Sequence, residues 1–125
     1  HIFVSTANPL AKKESVTMED LEPYPYLSFE QGEHNSFYFS EEIFSTTEHA
    51  KNVRVRDRAT LFNLLIGLNG YTVCSGVIDE GLNGANIVAV PLGEEGDMEI
   101  GILTHRRIRR SRMSEFYIEA IKQYI

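Results

Sequence analysis

The segment Arg58-Ala-Thr-Leu-Phe-Asn-Leu-Leu-Ile-Gly-Leu-Asn-Gly70, followed at once by Tyr71-Thr-Val-Cys-Ser-Gly-Val77, constrains the fold more than any other part of the chain. Its first half has the spacing of a short amphipathic helix, 58–68, that stops on an Asn-Gly turn. Its second half is an apolar, β-rich run predicted as a strand over 71–77. Val53-Arg-Val-Arg56 just upstream alternates as a strand, which makes a strand-helix-strand unit. In open α/β sheets, ligands settle beyond the carboxyl ends of such strands, against the helix starts. Asp57, Arg58 and Thr60 therefore stand where a small polar molecule would be read.

A chain of 125 residues, 42% apolar and 24% charged, suits one soluble domain or a large part of one. Its net charge of −6 argues against non-specific nucleic-acid binding by the whole piece. The single cysteine, Cys74, lies in an apolar run and has no partner for an internal disulfide, which fits a reducing compartment. No apolar stretch approaches the ~18–20 residues of a membrane span, and no signal-peptide pattern opens the chain. His1-Ile-Phe-Val4 is already strand-like, with no Met before it, and reads as a segment whose beginning lies upstream.

The remaining elements alternate in the same way. His1–Ser5 is a strand closed by an Asn8-Pro9 turn. Thr17-Met-Glu-Asp20 is a helix start with Thr17 as cap, kept short by Pro23 and Pro25. Tyr26–Phe29 is the next strand, and 36–46 carries Phe37, Ile43 and Phe44 at helical spacing. Asp79–Asn86 reads as a turn or a single helical turn, Ile87–Leu92 as a strand ended by Pro91, and 98–104 as another strand. Ser111 caps a terminal helix to Ile125, in which Phe116, Ala120, Ile121 and Tyr124 can form one stripe. Alternating strands and helices make the class α/β.

Most of the chemistry-bearing residues have an ordinary reading. His105-Arg-Arg-Ile-Arg-Arg-Ser-Arg112 holds five of the twelve basic residues, without interleaved aromatics or a recognition-helix pattern. It reads as a solvated or subunit-contacting surface ahead of a nucleic-acid patch. The four histidines are scattered, with no cysteine near any of them, which disfavours a metal site. No nucleophile elbow, phosphate loop or dinucleotide fingerprint occurs. Asp57 and Glu30 can be paired as catalytic carboxylates on paper, but no nucleophile or oxyanion holder accompanies them.

Two strand-to-helix loops remain: Glu30, Gln31 and Gly32 after one strand, and Arg56, Asp57, Arg58 and Thr60 after the next. Free backbone N–H groups at helix starts favour a carboxylate, sulfate or phosphate. The competing reading is that Asp57 caps the helix and Gln31-Gly32 is a plain turn. Two such loops side by side favour a pocket.

In order and spacing these features resemble the effector-binding domain of the LysR-type transcriptional regulators. His1–Ser5 followed by Asn8-Pro-Leu-Ala11 looks like the family's strand and "HPLA" segment. Val16-Thr-Met-Glu-Asp-Leu21 with Tyr24-Pro25 looks like its "sLtleDLadyP". Leu68-Asn-Gly-Tyr71 takes the place of its "GxGi" helix end, with Leu68 where the family has its first glycine. Ile87–Leu92 and the closing helix with Tyr117-Ile-Glu-Ala-Ile121 resemble the last hinge strand and final helix.

The resemblance implies a periplasmic-binding-protein type 2-like fold, a Rossmann-like mixed sheet with flanking helices. Residues 6–91 would form the second of two subdomains; 1–5 and 92–125 would be the crossing strand and pieces of the first. It further implies one wall of an effector cleft, carried by Glu30, Gln31, Gly32, Arg56, Asp57, Arg58 and Thr60. Their mixed charges suit an amino-acid-like or anionic small molecule. The implied protein is a cytoplasmic, self-associating sensor, dimeric or tetrameric, with no cofactor, metal or membrane contact. It would reach DNA only through an N-terminal winged helix-turn-helix outside this chain. The alternatives are an extracytoplasmic solute-binding protein of a transporter and a catalytic domain on the same fold.

Overall fold

The computed structural model describes residues 1–30, 51–93 and 101–124. Five strands join in one mixed sheet: β1 (Ile2–Ser5), β2 (Tyr26–Phe29), β3 (Asn52–Val55), β4 (Tyr71–Val73) and β5 (Ile87–Val90), in the order β3-β2-β4-β1-β5. β2 runs parallel to both β3 and β4, while β1 runs antiparallel to β4 and β5. The helices of the described residues are α1 (Met18–Leu21), α2 (Arg58–Gly67), α3 (Glu80–Asn83) and α4 (Arg112–Ile121), with 3-10 turns at Pro9–Lys12 and Lys122–Tyr124. The fold class read from the sequence is the one observed.

Strand alternation sorts the core into two layers. Phe3, Leu27, Val55 and Ile87 face α2 and bury Leu61 and Leu65, which lie one turn apart on the helix. Ile2, Val4, Tyr26, Tyr71, Val73 and Val90 face the other way and meet Leu10, Val16 and Leu21 from the chain between β1 and β2. Burying a leucine of this kind contributes roughly 1.5–3 kcal/mol. The sheet is thus held from both sides, which fixes where its strands end. β1 is hydrogen-bonded on both edges, so residues 2–5 are an interior member of this sheet.

Local chemistry explains the element boundaries. Thr17 and Asp20 form a reciprocal capping box at α1. Asp57, Asp79 and Ser111 cap α2, α3 and α4 with their side chains. α2 ends in a Schellman arrangement: Gly70 N–H donates to Leu65 O at 3.0 Å and Asn69 N–H to Ile66 O at 3.3 Å. Asn69 takes the left-handed conformation, φ 52°. Gly70 is needed for a different reason, since a Cβ there would stand 2.7 Å from Pro25 O and run into Leu27.

Three expectations change. The strand expected over 71–77 stops at Val73, because Gly76 adopts φ 85° and turns the chain out of the extended path. Residues 101–104, expected to continue a strand, form none, with Leu103 fully exposed. A strand requires a neighbouring edge to pair with, and no described strand pairs with this segment. In α4 the buried residue is Ile118, whereas Phe116 of the expected stripe is exposed. The helix expected over 36–46 and residues 98–100 lie outside the described residues.

Candidate functional site

Parallel pairing of β2 and β3 sets Tyr26 against Asn52 and Phe29 against Val55. The next residue of each strand, Glu30 and Arg56, therefore leaves the sheet at the same edge, side by side. Glu30 N–H still donates to Val55 O at 2.7 Å, so the backbone holds the pairing one residue beyond the ladder. The two side chains close a salt bridge between Arg56 Nε and Glu30 Oε2. Hydrogen bonding to Arg56, reinforced by its charge and by Arg54, holds the Glu30 carboxyl below its ordinary range. The same bond raises Arg56. Both groups are charged at neutral pH.

One residue on, the chain enters α2. Asp57 accepts from Thr60 N–H at 2.8 Å with one carboxylate oxygen and from the Thr60 hydroxyl at 2.7 Å with the other. These bonds, the backbone one first, lower its pKa. The start of α2 is thus met by a carboxylate of the chain itself. Of the two readings left open at this loop, the cap is what the side chain does here. Arg58 lies over the ring of Phe62, 5.8 Å from its centre, and Phe62 packs edge-on against Phe3 at 6.0 Å. That spacing of four residues puts cation and ring on one helix face.

The structure therefore joins Glu30 with Arg56, and Asp57 with Thr60, at one edge of the sheet, with Arg58 anchored beside them. Gln31 and Gly32 lie outside the described residues. Two contributors were missed from the sequence. Phe62 supports Arg58, a pairing legible in the four-residue spacing. Arg54 adds positive potential at Glu30, legible in the alternation of Arg54 in β3 with Arg56 just beyond its end. The strand order also brings the exit of β4 to the same edge, since β4 is parallel to β2.

Among the described residues, no group of three or more His, Cys, Asp or Glu is arranged to hold a metal, and no helix is long and apolar enough to cross a membrane. All five arginines of the 105–112 run are exposed.

The sequence matches the family model of the LysR substrate binding domain over residues 1–125. The chain belongs to this family. HinK, a LysR family transcriptional regulator from Pseudomonas aeruginosa, is similar in structure, with a TM-score of 0.62 and 13% sequence identity. The alignment covers 99% of this chain and 43% of HinK, so the chain spans less than half the length of that regulator. At that identity the likeness speaks for the fold. No curated protein matches the sequence significantly. As a LysR substrate binding domain the chain has the periplasmic-binding-protein type 2-like architecture expected from its motifs, and 125 residues make it a partial domain.

Proposed function

We propose that this LysR substrate binding domain is the ligand-sensing part of a transcription regulator. Its site takes a small polar effector, amino-acid-like or anionic, at the carboxyl ends of β2 and β3. The observation that carries the reading is the emergence of Glu30 and Arg56 side by side at that edge, next to the capped start of α2. This is where ligands sit in open α/β sheets. Glu30, Arg56, Asp57, Arg58 and Thr60 form one wall of the cleft, and the other wall belongs to the first subdomain. Residues 6–91, with β1 as an interior strand of the same sheet, make up the second subdomain, and 92–125 return to the first.

Binding controls DNA by shifting the placement of N-terminal winged helix-turn-helix heads in a dimer or tetramer. Such control requires that the effector bind two arrangements of the protein with unequal affinity. The family match favours a cytoplasmic regulator over the solute-binding protein of a transporter, and it favours sensing over catalysis. The exposed Met113, Phe116 and Tyr117 of α4 suit contact with further protein.

The test uses the full-length protein. A panel of small polar metabolites is screened by thermal shift, and each hit is assayed for its effect on operator binding. A hit should change DNA affinity, and Arg56→Gln should weaken its binding without unfolding the protein. If no small molecule alters either melting or DNA binding, the reading is wrong.

A further inference from the structure

We propose that the site selects zwitterions of the amino-acid class over simple anions; the proposal rests on the effector-binding reading above. At both positions that a plain anion would use, a carboxylate of the chain already stands. At the start of α2, Asp57 takes the N–H and the hydroxyl of Thr60. The helix dipole is satisfied there, and a second anion would meet like charge. At the strand ends, the Arg56 guanidinium is bound to Glu30.

A simple anion on the remaining guanidinium nitrogens of Arg56 stands beside the charge of Glu30. Like charges at this distance disfavour both ionised forms. A zwitterion changes the balance. Its carboxylate shares the guanidinium of Arg56 while its ammonium meets the carboxylate of Glu30, an exchange in which each added charge faces an opposite one. Arg54, Arg56 and Arg58 outnumber Glu30 and Asp57 at this edge, which keeps a ligand carboxylate attractive. The placement of the two carboxylates requires that it arrive with a cation. Exposed ion pairs are individually weak, and the preference from this exchange is about fivefold in Kd.

Titration calorimetry on the full-length protein compares each common L-amino acid with the carboxylic acid that lacks only its amino group. At least one amino acid should bind about fivefold more tightly than its deaminated counterpart. Glu30→Gln should erase that preference by weakening the amino acid while leaving or strengthening the acid, and Arg56→Gln should weaken both. The proposal is overturned if the deaminated acid binds as tightly, or if Glu30→Gln leaves the preference intact. It also falls, with the effector-binding reading still standing, if only other small molecules bind and Arg56→Gln weakens them. Failure of every small molecule overturns that reading instead. Should Glu30→Gln not fold, the wild-type comparison alone decides.

Discussion

The side chain of Asn8 donates to the backbone carbonyl of Asn69 at 3.2 Å, tying the turn after β1 to the end of α2. Asn8 is completely buried, and its oxygen also accepts from Leu10 N–H at 2.9 Å. One side chain therefore caps the Pro9–Lys12 turn and satisfies a carbonyl of the left-handed residue that closes α2. Because α2 opens at the candidate site and closes here, this bond helps hold the helix in place over the sheet.

Asn8→Ala should destabilise the protein by about 1–2 kcal/mol, since it removes a buried cap together with its tie to the Asn69 carbonyl. Asn8→Asp should be at least as costly, because it puts a charged carboxylate at a fully buried position and cannot donate to that carbonyl. Equilibrium unfolding in urea measures both. A change within about 0.5 kcal/mol, the range of an ordinary surface substitution, would mean that the bond is not holding the two segments together.

Gly70→Ala tests the close approach of α2's exit to the chain entering β2. The added Cβ would press on Pro25 O and on Leu27, and a backbone oxygen cannot rotate away. Overpacking of this kind costs about 1–3 kcal/mol. Asn69→Gly is the contrasting variant, since glycine readily takes a left-handed φ; it should cost less than Gly70→Ala in the same unfolding experiment.

The parts of the fold legible in the sequence are those decided within a few residues. Thr17 with Asp20, Asp57 with Thr60, Ser111 with Ser114, and the Asn69-Gly70 helix end all announce themselves by local hydrogen-bonding capacity. The pairing of Glu30 with Arg56 is different in kind, since the residues are 26 apart and meet only through the parallel register of β2 and β3. Their places in two strand-to-helix loops are legible in the sequence; that they neutralise each other is not. The dual capacity of Asp57 was equally hidden, because capping a helix and binding a ligand use the same oxygens. Residues 101–104 have a strand's composition, yet composition supplies no partner edge.

Asp57 also gives the start of α2 a pH dependence. Its folded pKa is depressed, chiefly by the Thr60 N–H and then by the Thr60 hydroxyl. Its stabilising effect is therefore fully present above the ordinary aspartate value of about 3.9 and disappears as pH falls through the lower folded value. Asp57→Asn keeps an acceptor for Thr60 N–H but removes the titrating charge. Melting temperature followed from neutral pH downward should fall less steeply for Asp57→Asn than for the wild type in the acid range. Parallel curves would show that the carboxylate contributes no proton-linked stability.

Tyr71 supplies the opposite limb. It is buried in the core and packs against Tyr26, their ring centres 5.3 Å apart. Burial raises its hydroxyl pKa from 10.0 to about 12. The folded protein then holds a proton that the unfolded chain gives up. Its stabilising effect is present below pH about 10 and is lost as pH climbs from there through about 12. Ultraviolet titration should show a tyrosine component that ionises well above the ordinary value of 10.0, and Tyr71→Phe should remove that late component. The same variant should flatten the decline of unfolding free energy above pH 10, because phenylalanine has no proton to lose. If the decline is as steep in Tyr71→Phe as in the wild type, alkaline unfolding is driven by other groups, and the buried tyrosine packs the sheet without coupling it to pH.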